Sequence, residues 1–407
     1  MTDQALRAGP RPLAVHLATA LAITTGSRIA WPVLSAGLPP WSGGPNQPSG
    51  RSDPSALRRE IAAVNAADFD AAVDAEARHR FDAFLRGIEA YRRHPARRDL
   101  HEPPTIWSEG ATRLLDYGGA GAPVLVVPSL INRYTVLDLA PDASLVRFLA
   151  DAGFRVLMVD WGAPGEAEHN FTLSDYIAGR LDRALAAAPG RPAVIGYCMG
   201  GLLALALALR NPDKVAALAL LATPWDFHAD QGGPPPWLAA LLPAVEATIA
   251  ALGELPVDAL QLMFASLDPT QNWVKFRRFA RVDPDSAEAH AFVALEDWVN
   301  DGVPLVGPVA RECLVGWYME NAPARNAWQV AGVPVRPNAI ECPALLALPQ
   351  GDRIVPPKSA AALAAAIAGA TILRPAAGHV GMVVGRHARS GLWEPLAAWL
   401  RPLLSSH

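Results

Sequence analysis

The sequence predicts an α/β protein in which helices cover both faces of a mostly parallel sheet. From about Thr112 onward, short apolar runs of strand-like composition alternate with helix-like segments, the pattern of successive βαβ units. Of the 407 residues, 51% are apolar, which supplies a large core and argues against intrinsic disorder. The alternation stops after Pro224, which indicates a long insertion between two strands of the sheet.

The alternation predicts six strands and five helices, each placed by a short apolar run or by helical spacing of apolar residues. The strands are expected at residues 124–127, 155–160, 193–197, 216–222, 344–348 and 371–373. The helices are expected at residues 144–152, 173–188, 199–209, 360–368 and 392–404.

The chain divides into three predicted parts. These are an N-terminal helical region at residues 1–105, a sheet-containing catalytic core at 106–223 and 339–407, and a helical cap or lid at 224–338. The cap segment is rich in proline, alanine and tryptophan. Most of its tryptophans are expected to form its core: Trp225, Trp237, Trp273, Trp298 and Trp317.

The N-terminal region contains an apolar stretch, a linker and a helix. Residues 39–54 are rich in Pro, Gly and Ser and are predicted as the linker, and residues 55–91 show the apolar spacing of a helix. In residues 13–38, His16 and Arg28 interrupt the apolar run, so we expect neither a membrane-spanning helix nor a secretory signal. A helix that packs on the protein or lies on an apolar surface is expected instead.

Composition excludes several classes of function. The net charge of −4 gives no basic field for a nucleic-acid backbone, so no nucleic-acid partner is expected. The three cysteines, Cys198, Cys313 and Cys342, are too few for a disulfide framework, which favours a reducing, cytoplasmic compartment. No Cys or His pair has zinc-site spacing, and no phosphate-binding glycine loop is present, so neither a metal nor a bound cofactor is expected.

The strongest motif is Gly196-Tyr197-Cys198-Met199-Gly200-Gly201, which joins a predicted strand to a predicted helix. This is the context of a nucleophile elbow, G-x-S-x-G, with cysteine in place of serine. The glycines allow neighbouring backbone to come close, and the positive end of the helix favours a thiolate. The N–H of Met199 is placed to stabilise an oxyanion. Alone, the motif would favour a buried structural cysteine over a nucleophile.

An acid and a histidine follow in the order that a nucleophile elbow requires. Asp352 comes after the strand at 344–348, and His379 comes after the strand at 371–373. The order nucleophile, acid, histidine is that of α/β-hydrolases, so an α/β-hydrolase fold with a catalytic triad is predicted. His379 would take the thiol proton of Cys198, and Asp352 would fix the histidine tautomer.

These residues resemble the polyhydroxyalkanoate synthase family, whose members carry a G-x-C-x-G elbow and a Cys–Asp–His triad. Further segments are similar to family motifs: residues 127–134 and 137–139, the Asp160-Trp161-Gly162 loop, residues 222–227, and in the cap residues 296–302 and 318–321. Arg353 and Ser129 depart from the family pattern, which usually has histidine and proline at these places.

The resemblance implies polymerisation of 3-hydroxyacyl-CoA thioesters into a polyester through a cysteine-bound acyl intermediate, with coenzyme A as the leaving group. It implies Ile131, or its neighbour Leu130, as the second oxyanion donor beside Met199. It makes the cap and its tryptophans candidates for a lid and a polymer-binding surface. The expected partners are the acyl-CoA, the growing chain and the surface of a cytoplasmic polymer granule.

Several alternatives stay open on the sequence alone. A cysteine hydrolase, either an acyl-CoA thioesterase or a polyester depolymerase, would use the same triad. A non-catalytic granule-associated protein could keep the fold without the reaction. Monomer chain length, and whether the chain acts as a homodimer or with a second synthase subunit, do not follow from the residues.

Overall fold

The structure is a computed structural model that describes residues 6–26, 60 and 64–404. Its central feature is an eight-stranded sheet, whose strands we number β1 to β8 in chain order. They are β1 Thr105–Glu109, β2 Thr112–Asp116, β3 Pro123–Val127, β4 Arg155–Asp160, β5 Ala193–Tyr197, β6 Ala217–Leu221, β7 Ala344–Ala347 and β8 Thr371–Leu373. The spatial order is β1-β2-β4-β3-β5-β6-β7-β8, with β3 to β8 parallel, which confirms the predicted fold class.

The register of the parallel strands brings their carboxyl ends to one edge of the sheet. Val127 of β3 is opposite Gly196 of β5, Tyr197 of β5 is opposite Leu221 of β6, and Leu221 is opposite Ala347 of β7. All residues of β5 and β6 are buried, as expected where helices cover both faces of a parallel sheet. The loops after β3, β5, β6 and β7 therefore start beside one another.

Strands β1 and β2 form an antiparallel hairpin at the edge of the sheet, and the sequence reasoning missed both. Gly110, at φ +59°, supplies the tight turn between them, and β2 pairs antiparallel with β4. Three of the five β1 residues are exposed, so this strand lacks the continuous apolar run that identified the others. The signal that could have found it is the glycine turn between two short β-favouring runs.

Helices flank the sheet in nearly the predicted places. They are Leu145–Asp151, Asp182–Ala187, Met199–Arg210, Pro357–Ala366, Gly381–Val384 and Glu394–Leu404. Wider π-type turns at Asp175–Leu181 and Arg389–Trp393 precede two of them. The helix Met199–Arg210 is buried along almost its whole length, because it packs into the core directly behind β5.

The segment between β6 and β7 is mostly helical, as the interrupted alternation predicted. Its helices are Pro236–Leu252, Val257–Leu267, Gln271–Phe279, Ala287–Asn300 and Gly307–Arg311, which continues as the π-type segment Glu312–Met319. Short antiparallel pairs join Glu254–Leu255 to Leu305–Val306 and Gln329–Val330 to Val333–Pro334. Four of the five tryptophans expected in its core are buried: Trp225, Trp273, Trp298 and Trp317.

The chain forms two compact units, and residues 268–296 of the predicted cap belong to the smaller one, together with the described residues up to Ala96. The core of this smaller unit is aromatic, with Phe84, Tyr91 and Phe276 fully buried. Its helices include Leu13–Gly26 and Ala66–Arg93. The predicted linker at residues 39–54 lies outside the described residues. Within the described part of the chain, no helix combines the length and apolarity that crossing a bilayer requires.

Candidate active site

Cys198 lies at the sharp turn between β5 and the helix Met199–Arg210. Its φ of +56° is unfavourable for a residue with a side chain, and such backbone strain is concentrated at functional sites. Its N–H donates to the carbonyl of Leu221, and its carbonyl accepts from Gly201, so the turn is fixed on both sides. The side chain is half-buried. This is the geometry of the predicted elbow.

Each glycine of the elbow makes room for a different neighbour. A Cβ on Gly196 would lie 2.5 Å from the Cα of Gly201, closer than any real packing allows. A Cβ on Gly200 would lie 2.5 Å from the carbonyl oxygen of Pro128, in the loop after β3. A Cβ on Gly201 would lie 2.7 Å from Cγ2 of Thr223, in the loop after β6. The elbow therefore contacts two neighbouring loops of the sheet edge.

Asp352 and His379 meet in the buried space beside the elbow. Nδ1 of His379 lies 2.7 Å from Oδ2 of Asp352. The other carboxylate oxygen accepts the N–H groups of Ile354 and Val355, at 2.8 and 2.9 Å. The Asp352 side chain is fully buried, and these three contacts hold its carboxylate in one orientation. Nδ1 of the imidazole is thus directed at the carboxylate, which leaves Nε2 for Cys198.

Burial and the contacts with Cys198 and Asp352 act in opposite directions on the pKa of His379, and the contacts together outweigh burial. Burial alone would lower the pKa of the imidazole, because desolvation disfavours its charged form. The negative charge of Cys198 and the hydrogen bond to Asp352 act in the opposite direction, as does a hydrogen bond from His379 to Cys198, and the pKa rises from 6.5 to about 10. The arrangement favours the protonated, imidazolium form of His379.

A buried tyrosine, Tyr197, and a half-buried one, Tyr318, lie near Cys198. The ring of Tyr197 is 5.2 Å from that of His379, and burial together with the charges of Cys198 and Asp352 raises its pKa well above the ordinary value. Burial and the charges of Cys198 and Cys313 also raise the pKa of Tyr318, which belongs to the insertion after β6. Both phenols therefore stay protonated and can donate hydrogen bonds.

The loop after β3 contains the residues expected to supply the second oxyanion donor. The N–H of Ile131 donates to Oγ of Ser129 at 3.1 Å, whereas the N–H of Leu130 donates to no group within the described residues. Met199 is the first residue of its helix, and a first helical N–H has no partner inside the helix. Among the described residues, the N–H groups of Met199 and Leu130 have no acceptor, whereas that of Ile131 is engaged by Ser129.

Two family-like segments form a clasp that the sequence could not reveal. Nδ2 of Asn321 donates to Oδ1 of Asp226 at 2.8 Å, and the N–H of Phe227 donates to Oδ1 of Asn321 at 3.0 Å. The ring of Phe227 packs on that of Tyr318 at 4.8 Å. Asp226 and Asn321 are 95 residues apart, so only the fold shows that they hold the loop after β6 against the end of the Glu312–Met319 segment.

Within the described residues, no group of three or more His, Cys, Asp or Glu side chains is arranged to hold a metal ion. Of the predicted site residues, the structure brings together Cys198, Met199, Asp352 and His379. It places Ile131 in the adjacent loop with its N–H engaged by Ser129. Tyr318 and the Asp226–Asn321 clasp were present in the motifs, but no role could be assigned to them from spacing alone.

Comparison with known proteins agrees with this architecture. Residues 122–385 match the model of a family described by its α/β-hydrolase fold. The chain is 30% identical to the poly(3-hydroxyalkanoate) polymerase subunit PhaC of Haloferax mediterranei, over 72% of this chain and 62% of the relative. It is 28% identical to the protein of the same name from Allochromatium vinosum, over 68% of this chain and 80% of the relative. The resemblance expected from the motifs is confirmed, although the chain spans less than two thirds of the Haloferax protein.

Solved structures with a similar fold are more distant in sequence. A monoacylglycerol lipase from Paleococcus ferrophilus is 20% identical, covers 72% of this chain and 99% of its own, and superposes with a TM-score of 0.49. A thermophilic esterase from Thermogutta terrifontis is 20% identical, covers 75% of this chain and all of its own, and has a TM-score of 0.44.

Proposed function

The chain belongs to the α/β-hydrolase fold family, and on that premise we propose that it is an acyltransferase that polymerises 3-hydroxyacyl-CoA thioesters. The observation that carries the proposal is a cysteine at the elbow, beside a buried imidazole that is bonded to a buried carboxylate. The similarity to poly(3-hydroxyalkanoate) polymerase subunits supports the choice of substrate. No resident cofactor or metal enters the proposal, because coenzyme A arrives and leaves with the substrate.

The acylation step follows from the positions of three side chains. Nε2 of His379 takes the proton of the Cys198 thiol, and the sulfur attacks the carbonyl carbon of the acyl-CoA. The oxyanion is stabilised by the N–H of Met199 and by a second donor from the loop after β3. When the intermediate collapses, the bond to the sulfur of coenzyme A breaks, and the imidazolium returns the proton to the leaving thiolate. One thioester is exchanged for another.

The second step extends the chain. His379 takes a proton from the hydroxyl group of a 3-hydroxyacyl chain, whose oxygen attacks the acyl-cysteine. An ester bond forms, the Cys198 thiolate is released, and the proton returns to restore the starting state. Water competes with this hydroxyl, so the insertion after β6, including Tyr318 and Phe227, would exclude solvent. We also assign the growing polyester and its granule surface as partners.

A product assay tests the proposal. The 407-residue chain is incubated with 3-hydroxybutyryl-CoA and with a medium-chain 3-hydroxyacyl-CoA, and released coenzyme A, soluble acid and insoluble polyester are measured. Polyester formation that is lost in Cys198→Ala supports synthesis. Soluble acid with stoichiometric coenzyme A would identify a thioesterase instead. No release from either substrate would favour the non-catalytic granule protein.

A further inference from the structure

The loop of residues 129–133, which we name the oxyanion loop, is held from the sheet at its start. Nε1 of Trp161, at the end of β4, donates to the carbonyl of Pro128 at 3.0 Å. The N–H of Ile131 donates to Ser129 within the loop itself. The carbonyl of Pro128 also lies against Gly200, so the start of the loop is fixed beside the elbow. These contacts leave the second half of the loop to be held by something else.

A short segment of the insertion, residues 298–303, holds that second half, and we name it the clamp. Nε1 of Trp298 donates to the carbonyl of Arg133 at 2.8 Å. The N–H of Val303 donates to the carbonyl of Ile131 at 3.4 Å, and Asn132 and Gly302 form an isolated antiparallel bridge. The clamp thus binds three consecutive residues of the oxyanion loop.

The hydrogen bond from Trp298 is the shorter of the two that the clamp donates to the loop. Trp298 is 9% exposed, so the partly buried carbonyl of Arg133 would lose a buried donor if the indole N–H were removed. The free-energy cost of leaving a buried polar group without a partner exceeds the net contribution that the hydrogen bond made to stability. The ion pair between Arg133 and Asp301, at 2.9 Å, is largely exposed, and solvent screening makes it a minor contribution.

The bridge between Asn132 and Gly302 is tightly packed. Oδ1 of Asn132 is buried and has no hydrogen-bond partner within the described residues. A Cβ on Gly302 would lie 3.2 Å from this oxygen and 3.0 Å from Cγ1 of Val257. An alanine at residue 302 therefore requires the side chains of Asn132 and Val257 to shift by a few tenths of an ångström. Because Asn132 belongs to the oxyanion loop, this substitution acts directly on the loop.

We propose that the clamp, chiefly Trp298, positions the oxyanion loop so that its N–H donor faces the elbow. Trp298 is then a positioning residue that acts through the loop and does not itself touch the substrate. This inference rests on the proposed acyl transfer for its kinetic consequence. Since oxyanion stabilisation is made in the transition state, a displaced donor lowers kcat with little change in KM.

The test compares two variants that each remove one hydrogen bond to a backbone carbonyl. Trp298→Phe keeps an aromatic ring but loses the donor to Arg133. Trp393→Phe is the matched control, because Trp393 is equally buried and its Nε1 donates at 3.1 Å to the carbonyl of Val383, outside both the clamp and the loop. Thioester turnover and amide hydrogen exchange of peptides covering residues 129–133 are measured on both.

We expect Trp298→Phe to lower kcat about 10- to 100-fold, the scale of a misplacement of up to 1 Å, with KM within about twofold. Exchange in residues 129–133 should become faster. Trp393→Phe should keep kcat within about threefold, with loop exchange as in the wild type. Equal kcat values in the two variants, or a fall in kcat without faster loop exchange, would overturn the inference. If Trp298→Phe does not fold, Gly302→Ala carries the same expectations through Asn132.

Failure of this inference is distinguishable from failure of the proposed function. If the wild type releases no coenzyme A from any acyl-CoA, the proposed function is wrong. The exchange comparison needs no substrate, so it still shows whether the clamp holds the loop. If the wild type is active and Trp298→Phe is equally active, only the inference is wrong.

Discussion

The substitution Asp352→Asn would reverse the hydrogen bond that orients His379. In the wild type, one carboxylate oxygen accepts two backbone N–H groups, from Ile354 and Val355, and the other faces Nδ1 of His379. Asparagine has one oxygen and one NH₂ group, so it can satisfy only one of these two sides. If its NH₂ faced the backbone, two buried N–H donors would lose their acceptor, at about 1–3 kcal/mol each. The oxygen therefore stays with the backbone, and the NH₂ faces the imidazole.

The consequence is the wrong tautomer at the sulfur. An NH₂ group that donates to Nδ1 requires this nitrogen to be unprotonated, so the ring proton moves to Nε2, which faces Cys198. Nε2 can then no longer accept the thiol proton. General-base catalysis by a positioned side chain is worth roughly 10²–10⁴-fold, and we expect turnover to fall by that factor. The deficit should shrink as the pH rises, because hydroxide can remove the thiol proton without the imidazole.

The assay is coenzyme A release at saturating acyl-CoA across pH, together with the thermal midpoint of unfolding. Asp138→Asn is the matched control, since the Asp138 side chain is equally buried but pairs with Arg98 and Arg147 away from the triad. The control should lose stability and keep turnover within a few-fold. An Asp352→Asn enzyme with the wild-type rate at neutral pH would refute the tautomer argument.

Three further outcomes are expected from the same geometry. Cys198→Ser should lose most coenzyme A release. His379→Gln should be more impaired than Asp352→Asn, because glutamine leaves no ring nitrogen to accept the thiol proton. Equal rates of His379→Gln and Asp352→Asn in steady-state assays would contradict this order. Cys198→Ala removes the largest effect that raises the pKa of His379, so that pKa should fall from about 10 in an imidazole NMR titration. In the wild type, the raised pKa of His379 stabilises the folded state below pH 6.5, and this stabilisation is lost as the pH rises through 10. Between pH 6.5 and 10, the thermal midpoint of Cys198→Ala should therefore fall less than that of the wild type. Gly200→Ala should lower the free energy of unfolding by about 1–3 kcal/mol and turnover by about 100-fold, because the added Cβ displaces the loop after β3. The control is Gly316→Ala, where a Cβ meets no atom within 4 Å. Both variants are compared in denaturant melts and turnover assays.

Much of the sheet could be predicted because its central strands are buried on both faces. Strands such as β5 and β6 consist almost entirely of apolar residues, so length and composition were enough to place them. The elbow was equally visible, because glycines at this spacing between a strand and a helix are typical of a nucleophile elbow. The hairpin of β1 and β2 was missed for the opposite reason: its edge strand is half-exposed and carries no apolar run.

The contacts that build the site could not be predicted, because they join residues far apart in the chain. The clasp of Asp226 with Asn321 depends on the path of the insertion between them. The engagement of Ile131 by Ser129 depends on one hydroxyl, at a place where the resembled family has proline and would offer no side-chain acceptor. The sequence indicated the loop after β3 for the second donor, and only the structure shows that the N–H of Ile131 is engaged while that of Leu130 has no acceptor among the described residues.

The elbow encodes more than a sharp turn, and this explains its third glycine. The pattern G-x-C-x-G requires only the first two glycines, and Gly201 lies outside it. Gly201 lies against Thr223, so the loop after β6 can approach the nucleophile only if this residue has no side chain. That loop continues to Asp226, which Asn321 fixes beside Tyr318 and hence near the sulfur. The absence of a Cβ at residue 201 thus lets a segment of the insertion reach the nucleophile, and the same absence at residue 200 admits the oxyanion loop.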